Sequence, residues 1–339
     1  MAVLSTGALT LADWAKRLDP DGSVPAVAEL LSQTNEILED AVFGEGNLPT
    51  GHRVTIRTGL PNVYWRALNA GVPSSKSTTA QVDETCGMME GRSHVDVRLA
   101  ELNGNTAQFR LSEDTAFIEA MNQRQAATMF YGNPGTNPLE YLGLAARYSS
   151  LSAGNATNIL SAGGAASDNT SIWLVGWGDN TIFNIFPKGS TAGLSHRDLG
   201  EDDVQDANGG WYRALKTLYQ WDNGLVVRDW RYAVRICNVK VADLISQSGT
   251  QATAAATNIL RLMARAVDRL PSIGMCRPVF YMNRTVHSAL RIAAMDKTSN
   301  VLSIESGLNQ FGKSHSWTAF DGIPLRKADG LLNTEATVS

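Results

Sequence analysis

The length and composition of the chain limit the classes of protein to which it can belong. With 339 residues it is long enough for two domains, and its 43% hydrophobic and 18% charged residues are typical of a globular protein rather than a disordered one. The net charge of -4, without a cluster of Lys and Arg, argues against nucleic-acid binding as the main activity. Three widely spaced cysteines indicate a reducing compartment, and no apolar run is long enough to span a bilayer. We expect a soluble protein made in the cytoplasm, without a membrane partner.

The first 44 residues predict two amphipathic helices. The first stops before Pro20, and Gly44 and Gly46 end the second. This spacing fits ordinary core helices as well as an arm that binds elsewhere. The apolar positions are Leu11, Trp14, Ala15 and Leu18 in the first helix, and Val27, Leu30, Leu31, Ile37, Leu38 and Ala41 in the second.

Residues 45–132 predict an extended two-stranded loop followed by a helix. The run 52–58 alternates apolar and polar residues, as a strand with one covered face does, and it resumes at 62–66. Residues 71–79 are polar and form a plausible tip, and 94–99 is the return strand. These runs contain too few large apolar residues for a core of their own. Because an isolated pair of strands is marginal in water, another part of the chain or another subunit must cover it.

A helix is predicted for residues 112–131. Ser112 is a suitable N-cap, Glu113 and Asp114 favour the first turn, and Gly132 ends the helix. Beyond it, residues 151–169 are rich in Ser, Ala, Gly and Asn and predict a linker. Residues 170–240 predict β structure, including a hairpin that turns at Asp222-Asn223-Gly224.

The last hundred residues predict an α/β pattern. An apolar stripe indicates a helix over 259–270, and a strand at 278–282 leads into a helix capped by Asn283 or Thr285. A sharp turn at Asp321-Gly322 precedes a final strand.

Two of these junctions resemble those of tailed-phage major capsid proteins with the HK97-type fold. The run Met282-Asn283-Arg284-Thr285, between strand and helix, is similar to the M-N-P-x-T junction of that family, with Arg284 in place of the commoner Pro. The run 320–325 is similar to the late G-x-P turn. The order of elements also resembles that family, and residues 11–151 are similar to the capsid proteins of short-tailed phages.

The resemblance implies an α+β, HK97-type capsid fold and a shell subunit. It implies self-assembly into pentamers and hexamers of an icosahedral virion capsid that encloses double-stranded DNA without specific binding. Assembly would occur in the host cytoplasm with a separate scaffolding protein, a portal and, in some cases, a decoration protein. The domains would be an N-arm (1–50), an extended loop (51–103), a peripheral domain (104–240, with a spine helix at 112–131 and a β-rich segment at 170–240), an axial domain (241–322), and a return strand with a C-terminal tail (323–339).

The resemblance also implies inter-subunit contacts in the arm and the extended loop, and no catalytic, cofactor-binding or metal-binding residue. Aromatic residues are frequent at the centres of protein interfaces, and we favour this role for Tyr64 and Trp65 because the loop has no core. The candidate contact residues are Trp14, Leu18, Arg57, Tyr64, Trp65, Arg66 and Lys76.

Two alternatives to a phage capsid protein are considered. One is an encapsulin-like compartment that would hold protein cargo instead of DNA. The other is a metal-dependent hydrolase, because residues 196–203 contain the one dense group of potential metal ligands in the sequence, namely His196, Asp198, Glu201, Asp202 and Asp203. Consecutive carboxylates more often form a solvated surface. Neither an HExxH motif nor a phosphate-binding glycine motif is present.

Overall fold

The computed structural model describes residues 32–101, 106–165, 167–206, 209–246, 249–295, 302–308 and 314–339. The helices are α1 (Ile37–Asp40), α2 (Val97–Glu101), α3 (Thr106–Tyr131), α4 (Leu144–Arg147), α5 (Val241–Leu244), α6 (Gly249–Val267) and α7 (Arg284–Met295). The strands are β1 (Phe43–Glu45), β2 (Gly51–Gly59), β3 (Thr78–Thr85), β4 (Gly87–Asp96), β5 (Ile159–Ser161), β6 (Asn169–Trp177), β7 (Ile182–Phe186), β8 (Ser195–Gln205), β9 (Trp211–Val227), β10 (Ala233–Lys240), β11 (Arg277–Met282), β12 (Leu302–Leu308), β13 (Ser314–Phe320) and β14 (Ile323–Lys327).

The chain divides into two compact units. The larger unit contains residues 35–87, 127–192 and 223–339, and the described part of the smaller unit comes from residues 32–34, 88–126 and 193–222. Helix α3 and strand β9 are each continuous but contribute their two ends to different units. None of the described helices has the length and apolar character required to cross a membrane.

The larger unit is built around strand β6, which is buried along its whole length. Strand β6 pairs with β10 and β11, both antiparallel, and β11 continues the sheet through a parallel pairing with β14. From Ile172 onwards the strand is apolar, as expected where both faces are covered, and Trp173 and Trp177 are among its fully buried side chains. This sheet is the main core of the described chain.

A buried carboxylate, that of Glu335, holds the C-terminal segment within the larger unit. Glu335 accepts hydrogen bonds from Tyr131 and Ser171 and forms an ion pair with Arg235, at 2.9 Å from Nη2. Both members of the ion pair are almost fully buried. Breaking a buried pair leaves an uncompensated charge and costs several kcal/mol, about 3–5 in measured cases.

The smaller unit places strand β9 between β8 and β4, with helices α2 and α3. Its apolar cluster consists of Val95, Leu99, Ala100 and Phe109, with Leu215 partly buried beside them. Phe117 of α3 stacks on Tyr219 of β9, with ring centroids 6.0 Å apart.

Several predictions for the C-terminal third are confirmed. Strand β11 leads directly into α7, and Asn283 Oδ1 accepts a hydrogen bond from the backbone N–H of Thr285 at 3.0 Å, as an N-cap does. The final turn contains Asp321 and Gly322 with φ of 51° and 74°. The helix predicted over 259–270 is the second half of α6, which ends three residues earlier than predicted, at Val267.

The predicted start of the spine helix at Ser112 is wrong, because α3 begins at Thr106. Phe109 is buried in the smaller unit's apolar cluster, and Arg110 forms an ion pair with Asp198 at 2.9 Å. These tertiary contacts stabilise a turn that precedes the local capping signal. The predicted end of the helix at Tyr131 is confirmed.

The strand predictions around the extended loop are partly wrong. Residues 62–66 form no strand, β3 already begins at Thr78 within the predicted tip, and β4 ends at Asp96 instead of Leu99. Asp96 Oδ1 accepts a hydrogen bond from the backbone N–H of Arg98 at 2.8 Å, which starts helix α2 in place of more strand.

The hairpin predicted at Asp222-Asn223-Gly224 is also wrong, because β9 runs through these residues without a turn. A Cβ atom on Gly224 would lie 2.8 Å from the carbonyl oxygen of Thr85, so glycine permits a close approach of two backbones here.

The linker predicted over 151–169 contains ordered structure. Strand β5 is parallel to β10, and Asn158 is buried and donates to the carbonyl oxygens of Arg231 and Ala233 at 2.9 and 3.0 Å. Of the two N-terminal helices, the first lies outside the described residues. The second is described only from Ser32, and from there only Ile37–Asp40 is helical.

Candidate inter-subunit surface

Strands β2 and β3 form a separate antiparallel ribbon within the larger unit. They pair in register from Gly51 opposite Thr85 to Arg57 opposite Thr79. The alternation that predicted β2 places Val54 on the covered side, where it is 3% exposed. Val54 packs with Phe183, Ile185 and Val226, and Ile56 and Cys86 are partly buried against the same cluster. We call this end of the ribbon, residues 51–56 and 80–86, its base.

A buried ion pair fixes the base of the ribbon. Glu84 accepts two parallel hydrogen bonds from Arg147, with N–O distances of 2.6 and 2.7 Å. Arg147 also donates to the carbonyl oxygens of Leu142 and Leu225, each at 3.1 Å. The side chains of Glu84 and Arg147 are only 6% and 14% exposed. A bidentate pair of this kind holds β3 in a defined position. Both charges are buried, so water cannot replace either partner if the pair separates.

The residue before Glu84 forms an ion pair on the other, exposed face. Arg53 donates two hydrogen bonds to Asp83, at 2.6 and 2.7 Å, and about half of each side chain is exposed. The hydrogen bond from Arg53 is the main reason that the pKa of Asp83 lies below its ordinary value. An exposed pair of this type contributes little to stability because water screens it.

Beyond Gly59 the ribbon loses its strand pairing. The pairing shifts between Arg57 and Gly59, and residues 60–77 contain no strand. Local hydrogen bonds give this segment its shape: Arg66 Nε donates to the carbonyl oxygen of Ala70 at 2.9 Å, and Ser75 Oγ donates to that of Asn62 at 2.7 Å. Asn69 occupies the left-handed region, with φ of 64°, which Asn tolerates better than most residues. We call residues 60–77 the tip.

The tip carries large apolar side chains that the described part of the subunit leaves exposed. Trp65 is as exposed as in an extended peptide, at 104%, and Leu68, Val63 and Leu60 are 95%, 91% and 79% exposed. Exposed single apolar residues are common, but a group of this size on one short segment marks a contact surface.

The ribbon contains five of the seven contact residues predicted from the sequence. Tyr64 is 46% exposed, Trp65 is fully exposed, and Arg57, Arg66 and Lys76 are exposed. The structure thus places all five on the uncovered part of one ribbon. Trp14 and Leu18 lie outside the described residues.

The sequence reasoning missed the remaining apolar residues of the tip, namely Leu60, Val63, Leu68 and Val72. The signal for them was available, since they lie on either side of the two aromatic residues in a segment for which no core was expected.

The acidic segment 196–203 does not form a metal site. It lies on strand β8, where successive side chains point to opposite faces, and three of its four carboxylates form ion pairs with basic residues of its own unit. Among the described residues no group of three potential ligands is close enough to hold a metal ion. The pairs are Asp198 with Arg110 at 2.9 Å, Asp202 with Lys216 at 2.6 Å and Glu201 with Arg213 at 3.4 Å.

These ion pairs have the expected effect on proton binding. Hydrogen bonds from Arg110 and Lys216 lower the pKa of Asp198 and Asp202, respectively, below the ordinary value of an aspartate. A general base needs a pKa raised towards neutrality, so Asp198 and Asp202 are poorly suited to that role.

Comparison with known proteins gives one family and several structures. Residues 19–339 match the model of a family described as major capsid protein GP7. A near-atomic structure of bacteriophage Epsilon15 is similar to the whole chain at 31% identity, with a TM-score of 0.77, and 99% of that chain is covered.

More distant structures include the capsid of a native GTA particle and an encapsulin complex from Synechococcus elongatus. The first is 10% identical over 69% of this chain and 99% of its own, with a TM-score of 0.46. The second is 12% identical over 68% of this chain and 96% of its own, with a TM-score of 0.43. Both likenesses are too low to support an argument. No curated protein sequence matches the chain.

Proposed function

The chain belongs to the family of major capsid protein GP7, and from this premise we propose that its subunits assemble as pentamers and hexamers into an icosahedral shell around double-stranded phage DNA. It is a structural subunit of a phage capsid with the HK97-type fold, as the sequence resemblance implied, and it is located in the virion. The family is one of structural proteins, so the hydrolase alternative is not retained.

The exposed tip of the ribbon is the observation that supports this proposal most directly. Burial of apolar surface stabilises by about 25 cal/mol per Å², and Trp65, Leu68 and Val63 obtain almost none of this from the described part of their own subunit. In a closed shell every tip can lie on a neighbouring subunit, which turns an exposed apolar segment into a contact. We assign this role to Tyr64, Trp65, Arg57, Arg66 and Lys76, and to Trp14 and Leu18 of the arm.

The proposed domain assignment follows the family pattern. Residues 1–50 are the N-arm, 51–103 the extended loop that contains the ribbon, 104–240 the peripheral domain with α3 as its spine helix, and 241–322 the axial domain. Residues 323–339 carry the return strand β14 and the C-terminal tail. The buried Glu335 supports an anchoring role for this tail within the subunit.

The proposed partners are other copies of the chain, a separate scaffolding protein, a portal and, where present, a decoration protein. Assembly takes place in the host cytoplasm. The net charge of -4 supports a container that encloses DNA without specific binding, because a basic inner wall would bind phosphate and hinder its release.

The test replaces residues 61–77 by a Gly and Ser segment of the same length. The unmodified protein should form shells, or five- and six-membered rings, in negative-stain images and in sedimentation. The variant should remain unassembled but melt at the same temperature, because the replaced apolar side chains make no core contact. Leu139→Ser, which alters another apolar residue that is 82% exposed, is the matched control and should still assemble.

Two outcomes would contradict the proposal. Intact shells from the tip variant would show that the tip of the ribbon is not required for assembly. An unmodified protein that stays monomeric, even when produced together with the neighbouring phage assembly genes, would contradict the shell function itself.

A further inference from the structure

A groove of about 610 Å³ lies beside the ribbon, entirely within the larger unit. One wall is strand β2 with its extension, from Val54 to Leu60. The other wall consists of Asn180 and the segment 228–231.

The groove carries positive charge that the subunit does not neutralise. Arg228 donates to two neutral acceptors, the carbonyl oxygen of Asp179 at 3.0 Å and Asn180 Oδ1 at 3.2 Å. Arg57 is exposed, and within the described part of the chain neither arginine forms an ion pair with a carboxylate. Arg231 differs, because it pairs with Asp229 at 2.7 Å.

The groove also offers apolar surface to an occupant. Trp230 on one wall is 40% exposed, and Leu60 at the end of the other is 79% exposed. An occupant that combines carboxylates with an apolar side chain would therefore satisfy both features.

The hairpin formed by β8 and the first part of β9 has this chemistry. Strand β8 is exposed on both faces over almost its whole length, and Trp211, which pairs opposite Gln205, is 69% exposed. Glu201 and Asp203 alternate with Asp202 and therefore point to the face opposite the side that pairs with Lys216. On that face Glu201 contacts Arg213 at a long 3.4 Å, and because both side chains are about half exposed or more, the carboxylate remains open to a second cation. From 195 to 222 the chain has six acidic and three basic residues. An exposed edge strand is normally protected from association by charge or by a partner.

We propose that in the assembled shell the acidic β8–β9 hairpin of one subunit binds in the arginine groove of a neighbouring subunit. Carboxylates of the hairpin then neutralise Arg57 and Arg228, and Trp211 lies against the apolar walls. The proposal rests on the proposed shell function. The partner is a second copy of this chain. Because the hairpin and the groove are different surfaces, the contact is heterologous, and its repetition closes rings or continues a lattice.

The test is a reversal of charge on each side of the contact and then on both. Arg57→Glu with Arg228→Glu reverses the groove, and Glu201→Lys with Asp203→Lys reverses the hairpin. Each reversal alone should reduce the yield of closed shells at least about tenfold, because like charges then face each other. The chain with all four changes should restore the yield, since each neighbouring pair is again complementary. Light scattering and negative-stain particle counts give the yield.

The matched control changes the net charge by the same amount at another surface. Arg261→Glu with Arg265→Glu alters two exposed arginines of α6, and the hairpin reversal should not rescue whatever assembly defect it causes. Thermal melting identifies variants that do not fold. Should the groove double variant be unfolded, Arg57→Glu alone replaces it, since no hydrogen bond of that side chain is found within the described residues.

The outcomes separate this inference from the shell function. If the unmodified protein forms shells but the fourfold variant does not recover them, or if either single reversal assembles normally, the hairpin contact is wrong and the shell function stands. If the unmodified protein forms no assembly under any condition, both fail together.

Discussion

The base and the tip of the ribbon belong to the same segment of chain, yet they are stabilised in different ways. At the base, Val54 is buried in an apolar cluster and Glu84 is held by Arg147. At the tip, Trp65 and Leu68 are almost fully exposed, and the backbone is held only by local hydrogen bonds. The difference indicates that the fold of the subunit determines where the ribbon starts and how it is oriented. Under the proposed function, its far end acquires its contacts from a neighbouring subunit.

The largest expected effect on stability comes from a substitution that breaks the buried ion pair at the base. Glu84→Ala leaves the guanidinium of Arg147 without its buried partner, and the free energy of unfolding should fall by about 3–5 kcal/mol. Urea unfolding followed by circular dichroism measures this loss. A loss no larger than that of an average surface substitution would mean that the pair does not anchor the ribbon.

The adjacent residue provides the matched control for this prediction. Asp83→Ala removes an ion pair of the same geometry from the exposed face of the same strand, and it should leave the unfolding midpoint almost unchanged because water screens the pair. The difference in unfolding free energy between Asp83→Ala and Glu84→Ala therefore measures how much burial adds to an ion pair, because the two residues are neighbours on the same strand.

A smaller effect than that of Glu84→Ala is expected outside the ribbon, at His287 in another part of the larger unit. Burial, with the positive charges of Lys327 and Arg291, lowers the pKa of His287 to about 4. The unfolded chain binds this proton near the ordinary pKa of about 6.5, so between these values the unfolded state holds more protons than the folded state. Stability should therefore fall as the pH is lowered from 6.5 to 4.

The substitution His287→Gln tests this dependence, because it removes the titrating group. Unfolding midpoints measured at several pH values should show a flatter profile for the variant in that interval. Its contribution should be below about 1 kcal/mol, since the ring is only partly buried and solvent screens it. An identical slope in both proteins would contradict the assignment.

Features that depend on a few neighbouring residues were predictable from the sequence. The alternation of residues 52–58 predicted β2, and the polar run before α7 predicted the cap at Asn283. The aromatic residues at 64 and 65 predicted a contact surface because no core was available to bury them. The family resemblance then gave the HK97-type fold, which local patterns alone did not specify.

Features that depend on distant residues were not predictable. Asn223-Gly224 has the sequence of a tight turn, but the glycine instead permits β9 to approach Thr85, more than a hundred residues earlier. Ser112 is a residue type that favours the N-cap, but the tertiary contacts of Phe109 and Arg110 extend the helix towards its N-terminus, beyond Ser112. The pair of Glu84 and Arg147 likewise joins residues whose sequence positions give no sign of the contact.

Hydrogen exchange, measured by mass spectrometry on unassembled subunits and on purified shells, tests the central claim most directly. Peptides from the base, in β2 and β3, should exchange slowly in both states because their strand pairing and core contacts lie within the subunit. Peptides from the tip, residues 60–77, should exchange rapidly in the subunit and become protected in the shell. Equally rapid exchange of the tip in both states would contradict the claim that a neighbouring subunit covers it.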